Sequence, residues 1–132
     1  MKALKENVRK YLKSQSDVQF AYLFGSALHG FFNEESDIDI AIYLKQNSKD
    51  FFERRLELID ALSKICHRTV DVLILNRTSS LLLKFSIIAQ GKRIYESDAL
   101  ARKQFEFETL SYYYDYQPLS KMYDFAYIQK HL

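Results

Sequence analysis

The sequence predicts an α/β (α+β) protein, in which strands and helices alternate around a small sheet and two helices follow. Short runs rich in β-branched and aromatic residues alternate with longer segments whose apolar residues recur at helical spacing. The chain has 132 residues, of which 48% are hydrophobic and 27% charged. These values are typical of a globular protein with one core.

The predicted elements follow one another without a repeat, a low-complexity linker or a shift in composition. We therefore expect one domain over 1–132, with a core over about 1–97 and a helical extension over about 98–132. In order, we expect a helix over 2–14, a strand over 18–24, a short helix over 27–31, a strand over 37–44, a helix from about 48 to 67, a strand over 69–75, a helix over 80–90, a strand over 93–96, a helix over 98–114 and a last helix from about 118.

Three of the longer helices are predicted from apolar stripes, and residues suited to helix ends support several of the predicted bounds. The stripes are Leu4, Val8, Tyr11 and Leu12 in the first helix; Phe52, Leu56, Ile59, Leu62 and Cys66 in the second long helix; and Leu100, Phe107, Leu110 and Tyr114 in the helix over 98–114. Asn47 or Ser48 is suited to cap the N-terminus of the second long helix, and Gly91 is suited to end the helix over 80–90. Pro118 suits the first turn of a last helix.

Charge and composition exclude several classes of protein. The net charge of +2 is too small to indicate nucleic-acid binding, and no long run of like charges occurs. Cys66 is the only cysteine, so an internal disulfide is impossible. The sequence lacks both a signal-peptide pattern and an apolar run of the ~20 residues that span a membrane. We expect a cytoplasmic protein without direct contact to nucleic acid or membrane.

A glycine-serine pair follows the first predicted strand at Gly25 and Ser26. Glycine permits a close approach of the backbone, and free N–H groups at the start of a following helix attract anions. The serine hydroxyl adds a hydrogen-bond donor. The pair is therefore suited to hold phosphate, although an ordinary strand-helix turn uses the same two residues.

Two aspartates, Asp37 and Asp39, begin the second predicted strand. Residues two apart on a strand point to one face, so the carboxylates would repel each other unless a cation lies between them. Mg²⁺ is a hard cation that carboxylates and substrate phosphates hold together. Asp71, near the start of the third strand, is a third carboxylate that could complete a metal shell or accept a proton. Pairing of Asp71 with Arg68 is the alternative.

The combination is more specific than its parts. At average residue usage, a Gly-Ser pair and two aspartates at fixed offsets occur by chance in only about two in a thousand chains of this length. The matching segments resemble the DNA polymerase β-like nucleotidyltransferase superfamily, and specifically its minimal nucleotidyltransferase (MNT) branch. They are Phe24-Gly25-Ser26, Ser36-Asp37-Ile38-Asp39-Ile40, Val70-Asp71-Val72 and the run from Ile88 to Tyr95.

The resemblance implies a nucleotidyltransferase fold with a small mixed sheet, and it implies roles for five residues. Asp37 and Asp39 would bind two Mg²⁺ ions, and Asp71 would be the third ligand and a possible base. Gly25 and Ser26 would hold the triphosphate. At position 29, where relatives commonly have arginine, this chain has His29, which weakens the case for one phosphate contact.

The resemblance also implies a reaction and a partner. The enzyme would transfer AMP from ATP to a hydroxyl of a HEPN-domain RNase toxin, with tyrosine as the acceptor, and would act as the antitoxin in a hetero-oligomer. Six tyrosines between Tyr112 and Tyr127 would then form a docking surface, since tyrosine is enriched at interfaces. Two alternatives stay open: an antitoxin that neutralises its partner by binding alone, and a nucleotidyltransferase that modifies small molecules of the antibiotic type.

Overall fold

Four strands and four helices make up most of the described chain. The structure is a computed structural model that describes residues 2–25, 37–48 and 50–131, and side chains over 3–25, 37–48 and 50–115. The elements are α1 (Lys2–Ser14), β1 (Val18–Phe24), β2 (Ile38–Leu44), α2 (Phe51–Cys66), β3 (Val70–Ile74), a 3₁₀ turn (Leu75–Arg77), α3 (Leu81–Gln90), β4 (Lys92–Glu96) and α4 (Ala99–His131).

The strands form one mixed sheet in the order β3-β2-β1-β4. β1 lies in the middle and pairs antiparallel with both β2 and β4, whereas β2 and β3 are parallel. α2 provides the crossover that a parallel pair requires. This architecture confirms the predicted fold class, and it supplies the strand order and directions that the sequence pattern left open.

Each face of the sheet has its own apolar core. Alternate residues Ile38, Ile40 and Ile42 of β2 face one core, which α1 and α2 complete. The opposite face carries Ala41 and Tyr43, and there α3 and α4 provide the cover. Phe105 of α4 lies with its ring 5.5 Å from the rings of both Phe20 and Tyr43. Because Asp39 alternates with Ile38 and Ile40, it lies on this second face.

A buried arginine, Arg54, joins α2 to the connection between α1 and β1. Its Nε donates to Asp17 Oδ2 at 2.8 Å, and its Nη2 donates to Asp17 Oδ1 at 2.9 Å and to Gln15 Oε1 at 2.8 Å. The Arg54 guanidinium holds the pKa of Asp17 below its ordinary value. The side chains of Gln15 and Asp17, just after α1, thereby have a hydrogen-bond partner inside the fold.

The buried side of α2 differs from the predicted stripe. Leu58, Leu62 and Cys66 are buried as expected, but Phe52 is 69% exposed and Leu56 is 49% exposed. Because Arg54 takes the inward position in the first turn, the stripe that included Phe52 and Leu56 was wrong at its start. The cap also differs: Asp50, rather than Asn47 or Ser48, accepts from the N–H groups of the first turn.

The C-terminal segment forms one helix rather than two. α4 runs over Ala99–His131, so the predicted start of a separate helix at Pro118 was wrong. Proline removes one backbone N–H donor, and here the helix continues past that position. The predicted apolar stripe was also wrong, because Phe105 and Thr109 are buried whereas Leu100 and Phe107 are exposed.

Two helix ends illustrate how tertiary contacts set local geometry. Gly91 ends α3 as predicted, and its φ of −71° shows that it does so without a left-handed conformation. A Cβ at Gly91 would lie 2.3 Å from the Ile87 carbonyl oxygen, which explains the glycine by close packing. His67 ends α2 with φ 54°, and burial raises the pKa of the adjacent Cys66 thiol.

Candidate active site

Asp39 lies at the end of the sheet where β1 finishes and β2 begins. The antiparallel register pairs Asp39 with Phe24, the last residue of β1. Gly25 therefore follows directly beside the Asp39 carboxylate. Asp37 precedes β2 and is exposed. The two elements thus bring the predicted phosphate turn and the predicted metal ligands to one edge of the sheet.

Asp71 lies beside Asp39 on the next strand. The parallel register of β2 and β3 pairs these two residues directly, with Ile38 opposite Val70 and Ile40 opposite Val72. A hydrogen bond from the Ile38 N–H to the Thr69 carbonyl, at 3.0 Å, aligns the strand starts. The structure therefore brings Asp39 and Asp71 together at one edge of the sheet.

Gly25 has a conformation and a contact that exclude larger residues. Its φ is +84°, in the region that L-residues rarely adopt, and a Cβ there would lie 2.3 Å from Asp39 Oδ2. The backbone of Gly25 therefore lies against the Asp39 carboxylate, which leaves no space for a side chain at position 25.

Asp39 carries an electrostatic cost from its burial and from its two acidic neighbours. Burial raises the pKa of Asp39 above its ordinary value, and the charges of Asp71 and Asp37 raise it further. In the described parts of the chain, no three His, Cys, Asp or Glu side chains lie close enough together to hold a metal ion by themselves. A half-buried carboxylate with two acidic neighbours and an open side fits a divalent cation that also takes ligands from a substrate.

Arg55 is a part of this site that sequence reasoning missed. Its Nη2 donates to Asp71 Oδ1 at 2.8 Å, and its Nε donates to the Val72 carbonyl oxygen at 2.6 Å. The alternative partner considered for Asp71 was Arg68. The only available signal was the crossover itself, since a helix between two parallel strands packs beside them and brings its side chains to β3.

A cleft of about 620 Å³ opens beside Arg55, between the start of α2 and the segment that joins β3 to α3. Phe52 is exposed here. The Arg77 guanidinium lies 5.1 Å from the centre of the Phe51 ring, in cation-π geometry. Arg77 therefore has an aromatic partner at the edge of this cleft.

Several predicted positions lie outside the described residues. These are Ser26, Ser36, His29 and the short helix over 27–31. In the C-terminal region, Tyr112 and Tyr114 are exposed and Tyr113 stacks on Phe85 with ring centres 3.8 Å apart. Side chains from 116 onward are outside the description. Within the described chain, no helix has the length and apolar character needed to cross a membrane.

Comparison with known families decides the class of this site. The family model described as "Polymerase beta, Nucleotidyltransferase" matches residues 6–100, which include Gly25, Asp37, Asp39 and Asp71. The chain belongs to this nucleotidyltransferase family. The match spans all four strands of the sheet and the candidate site. The predicted enzyme class is therefore confirmed.

Individual relatives are also named as nucleotide-transferring proteins or come from complexes with a nucleotide. This chain is 41% identical over 73 residues to the "putative protein adenylyltransferase MJ1379" of Methanocaldococcus jannaschii, and the aligned residues cover 53% of this chain and 73% of that relative. A chain in the crystal structure of a toxin-antitoxin with AMP-PNP matches this chain with a TM-score of 0.74 and 26% identity, over 94% of this chain and 98% of the other.

A further similar structure contains a tri-AMPylated Shewanella oneidensis HEPN toxin in complex with an MNT antitoxin. The match has a TM-score of 0.70 and 26% identity, and it covers 97% of this chain and 99% of the other. The two structural matches extend over nearly the full length of both chains. The predicted resemblance to the minimal branch of the superfamily is confirmed.

Proposed function

We propose that this nucleotidyltransferase transfers AMP from ATP, with Mg²⁺, to a tyrosine hydroxyl of a HEPN-domain RNase toxin, and that it acts as the antitoxin. One observation carries the proposal: the strand register sets Asp39 beside Asp71 while Gly25 lies against Asp39 Oδ2. The phosphate turn and the carboxylates are thereby adjacent, as transfer of a nucleotide requires.

The relatives support the choice of nucleotide and acceptor. One similar chain comes from a toxin-antitoxin crystallised with AMP-PNP, an ATP analogue. Another comes from a complex in which the HEPN toxin is tri-AMPylated. The transfer of AMP to protein is also the activity named for the archaeal relative. We infer that the same nucleotide and the same class of partner belong to this chain.

The chemistry is an in-line displacement. The acceptor oxygen forms a bond to the α-phosphorus, the bond from that phosphorus to the bridging oxygen breaks, and pyrophosphate leaves as the acceptor proton is released. Asp37, Asp39 and Asp71 would hold Mg²⁺, which supplies charge stabilisation for the phosphates. Gly25 and Ser26 would hold the triphosphate.

The direct test uses the purified protein, ATP, Mg²⁺ and a HEPN-domain toxin as the acceptor. Intact-mass measurement should show the toxin gaining whole AMP groups, and peptide mapping should place them on tyrosine. Asp39→Asn, which keeps the size of the side chain, should lower the labelling rate at least about 100-fold. An unlabelled toxin with the wild-type enzyme would refute the proposed reaction.

The same variant separates catalysis from neutralisation by binding. Asp39→Asn should still form the complex with the toxin but should no longer suppress its RNase activity. If the variant suppresses the RNase as well as the wild type does, the antitoxin works by binding alone. Labelling of aminoglycosides in place of the toxin would instead support the small-molecule alternative.

A further inference from the structure

We propose that Arg55 is the positioning residue for Asp71, and that it sets the affinity of the site for the divalent cation bound with the nucleotide. The inference rests on the proposed function, because it takes Asp71 as a metal ligand. It begins from the two contacts of Arg55, to the side chain of Asp71 and to the backbone of Val72.

The two contacts fix the orientation of the guanidinium. Nε donates to the Val72 carbonyl at 2.6 Å and Nη2 donates to Asp71 Oδ1 at 2.8 Å. A guanidinium is planar, so two donors held on two neighbouring residues leave it little freedom to rotate. The carbonyl belongs to β3, which is an edge strand of the sheet. Arg55 therefore uses an edge-strand acceptor as an anchor while it binds the carboxylate.

Asp71 is left with one oxygen for a ligand. Oδ1 accepts from Arg55 and, at 3.0 Å, from the N–H of Val72. Within the described chain, no donor is recorded on Oδ2. Because two donors hold Oδ1, the direction of Oδ2 is fixed as well. Without Arg55, the carboxylate of this half-exposed side chain would be free to turn about its own bond.

The support for Arg55 is rigid. Arg55 lies on α2, whose residues Leu58 and Leu62 are fully buried in the core beneath the sheet. The next residue toward the N-terminus, Arg54, is held by Asp17 and Gln15. A side chain that starts from a fixed helix and bonds a fixed strand is able to orient a ligand in the way that outer-shell partners do in metal sites.

The test measures metal binding and does not need turnover. Mn²⁺ is titrated by calorimetry into protein saturated with AMP-PNP. Arg55→Gln and Asp71→Asn should each weaken Mn²⁺ binding about 10- to 100-fold. The double variant should bind no more weakly than Asp71→Asn alone, because Arg55 acts through Asp71. Arg55→Lys keeps the positive charge but loses the planar guanidinium that donates to two acceptors. Its Mn²⁺ affinity should therefore lie between that of Arg55→Gln and that of the wild type.

Lys64→Gln is the matched control. It removes a cation from the same helix, where Lys64 pairs with Asp60 at 3.0 Å on the exposed side, and Mn²⁺ affinity should not change. The inference is overturned if Arg55→Gln binds Mn²⁺ as the wild type does, or if it weakens binding equally with and without Asp71. A wild-type protein that binds neither Mn²⁺ nor AMP-PNP would refute the proposed function itself.

Discussion

At the scale of single residues, Asp39 combines two features that conflict unless a cation is present. It is partly buried against Gly25, and it has acidic neighbours on the next strand and two residues earlier. Burial and like charges both raise its pKa, so the ionised side chain opposes folding in the absence of metal. If the site binds Mg²⁺ as proposed, it gives up stability of the metal-free protein for that binding.

We expect Asp39→Asn to stabilise the metal-free protein. An acid whose pKa is higher in the folded state costs stability above that pKa and costs nothing below its unfolded value, so the gain should be present at pH 7 and vanish in acid. Thermal melts should show a Tm a few degrees above that of the wild type. With excess Mg²⁺ and AMP-PNP the wild type should have the higher Tm, because only the wild type is stabilised by binding them. A variant that melts lower under both conditions would contradict this.

Gly25→Ala should abolish activity with a smaller effect on folding. The added Cβ would lie 2.3 Å from Asp39 Oδ2 on a backbone with φ +84°, so it must displace the carboxylate. Displacement of a reacting group by about 1 Å costs about 100-fold in rate. Toxin labelling should fall by at least that factor.

Gly91→Ala is the companion substitution, since its Cβ would meet the Ile87 carbonyl oxygen rather than a site residue. We expect it to lower Tm while the folded fraction keeps its labelling rate. Equal loss of activity in the two variants would show that the effect of Gly25→Ala is general rather than local.

At the scale of elements, α2 connects two regions that are separate in the sequence. Its first turn holds the α1–β1 connection through Arg54, and Arg55 holds the start of β3 through Asp71 and Val72. Successive residues on a helix point about 100° apart, so the two arginines reach different neighbours. The same helix thus stabilises the fold and orients a site residue.

The Arg54 contacts predict a dependence of stability on pH. Asp17→Asn should lower the free energy of unfolding at pH 7 by about 2 kcal/mol, as expected for charged hydrogen bonds to a buried partner. Because Arg54 lowers the pKa of Asp17 in the folded state, this contribution is complete above the unfolded pKa of about 3.9. It is lost as the pH falls through the lower folded value.

Urea unfolding of wild type and Asp17→Asn at pH 7, and again through the acid range, measures this difference. The two curves should converge as the pH drops below about 4. If the difference in free energy of unfolding between the two proteins stays constant down to the lowest pH, the pair contributes through packing rather than charge. Asp60→Asn, in an exposed pair with Lys64, should change stability by less than about 0.5 kcal/mol throughout.

At the scale of the whole molecule, the sheet is covered on both faces while α4 continues well beyond it. The helix has 33 residues, or about 50 Å of length. Contacts that tie it to the sheet come from its first half: Phe105 packs on the second core, and the Tyr22 hydroxyl donates to Glu106 Oε1 at 2.6 Å. Exposed aromatic residues follow on the same helix, and we expect the partner to dock there.

We expect the double substitution Tyr112→Ser and Tyr114→Ser to weaken the toxin complex without unfolding the enzyme. Both side chains are more than half exposed, so stability should change by less than about 0.5 kcal/mol each. Removal of two interface tyrosines should raise the Kd for the toxin at least about 10-fold. Calorimetry or surface binding with the purified toxin measures this.

Leu100→Ser is the matched control, since Leu100 is 76% exposed at the other end of α4. It should leave both stability and Kd unchanged. If the double tyrosine variant binds the toxin as tightly as the wild type does, the docking surface lies elsewhere.

The elements were predictable because local periodicity and cap residues specify them. β1 over Val18–Phe24 and α1 over Lys2–Ser14 were predicted with their observed bounds. The faces of α2 and α4 were less predictable, because each has apolar residues on more than one side. Packing buries Leu58 rather than Leu56, and Phe105 rather than Phe107. The sequence pattern alone does not indicate which side of each helix faces the sheet.

The sequence by itself determined the chemistry of the site: a glycine after one strand, aspartates at the start of the next and a further aspartate on the third. Residue types and their spacing along the chain are local properties, and a sequence pattern contains them directly. Only the tertiary structure decided that Asp39 and Asp71 are direct neighbours and that Gly25 touches Asp39. It alone decided that Arg55 holds Asp71. These contacts join residues 14 to 32 positions apart, and the physical reason is the pairing and crossover of strands, which bring distant positions together.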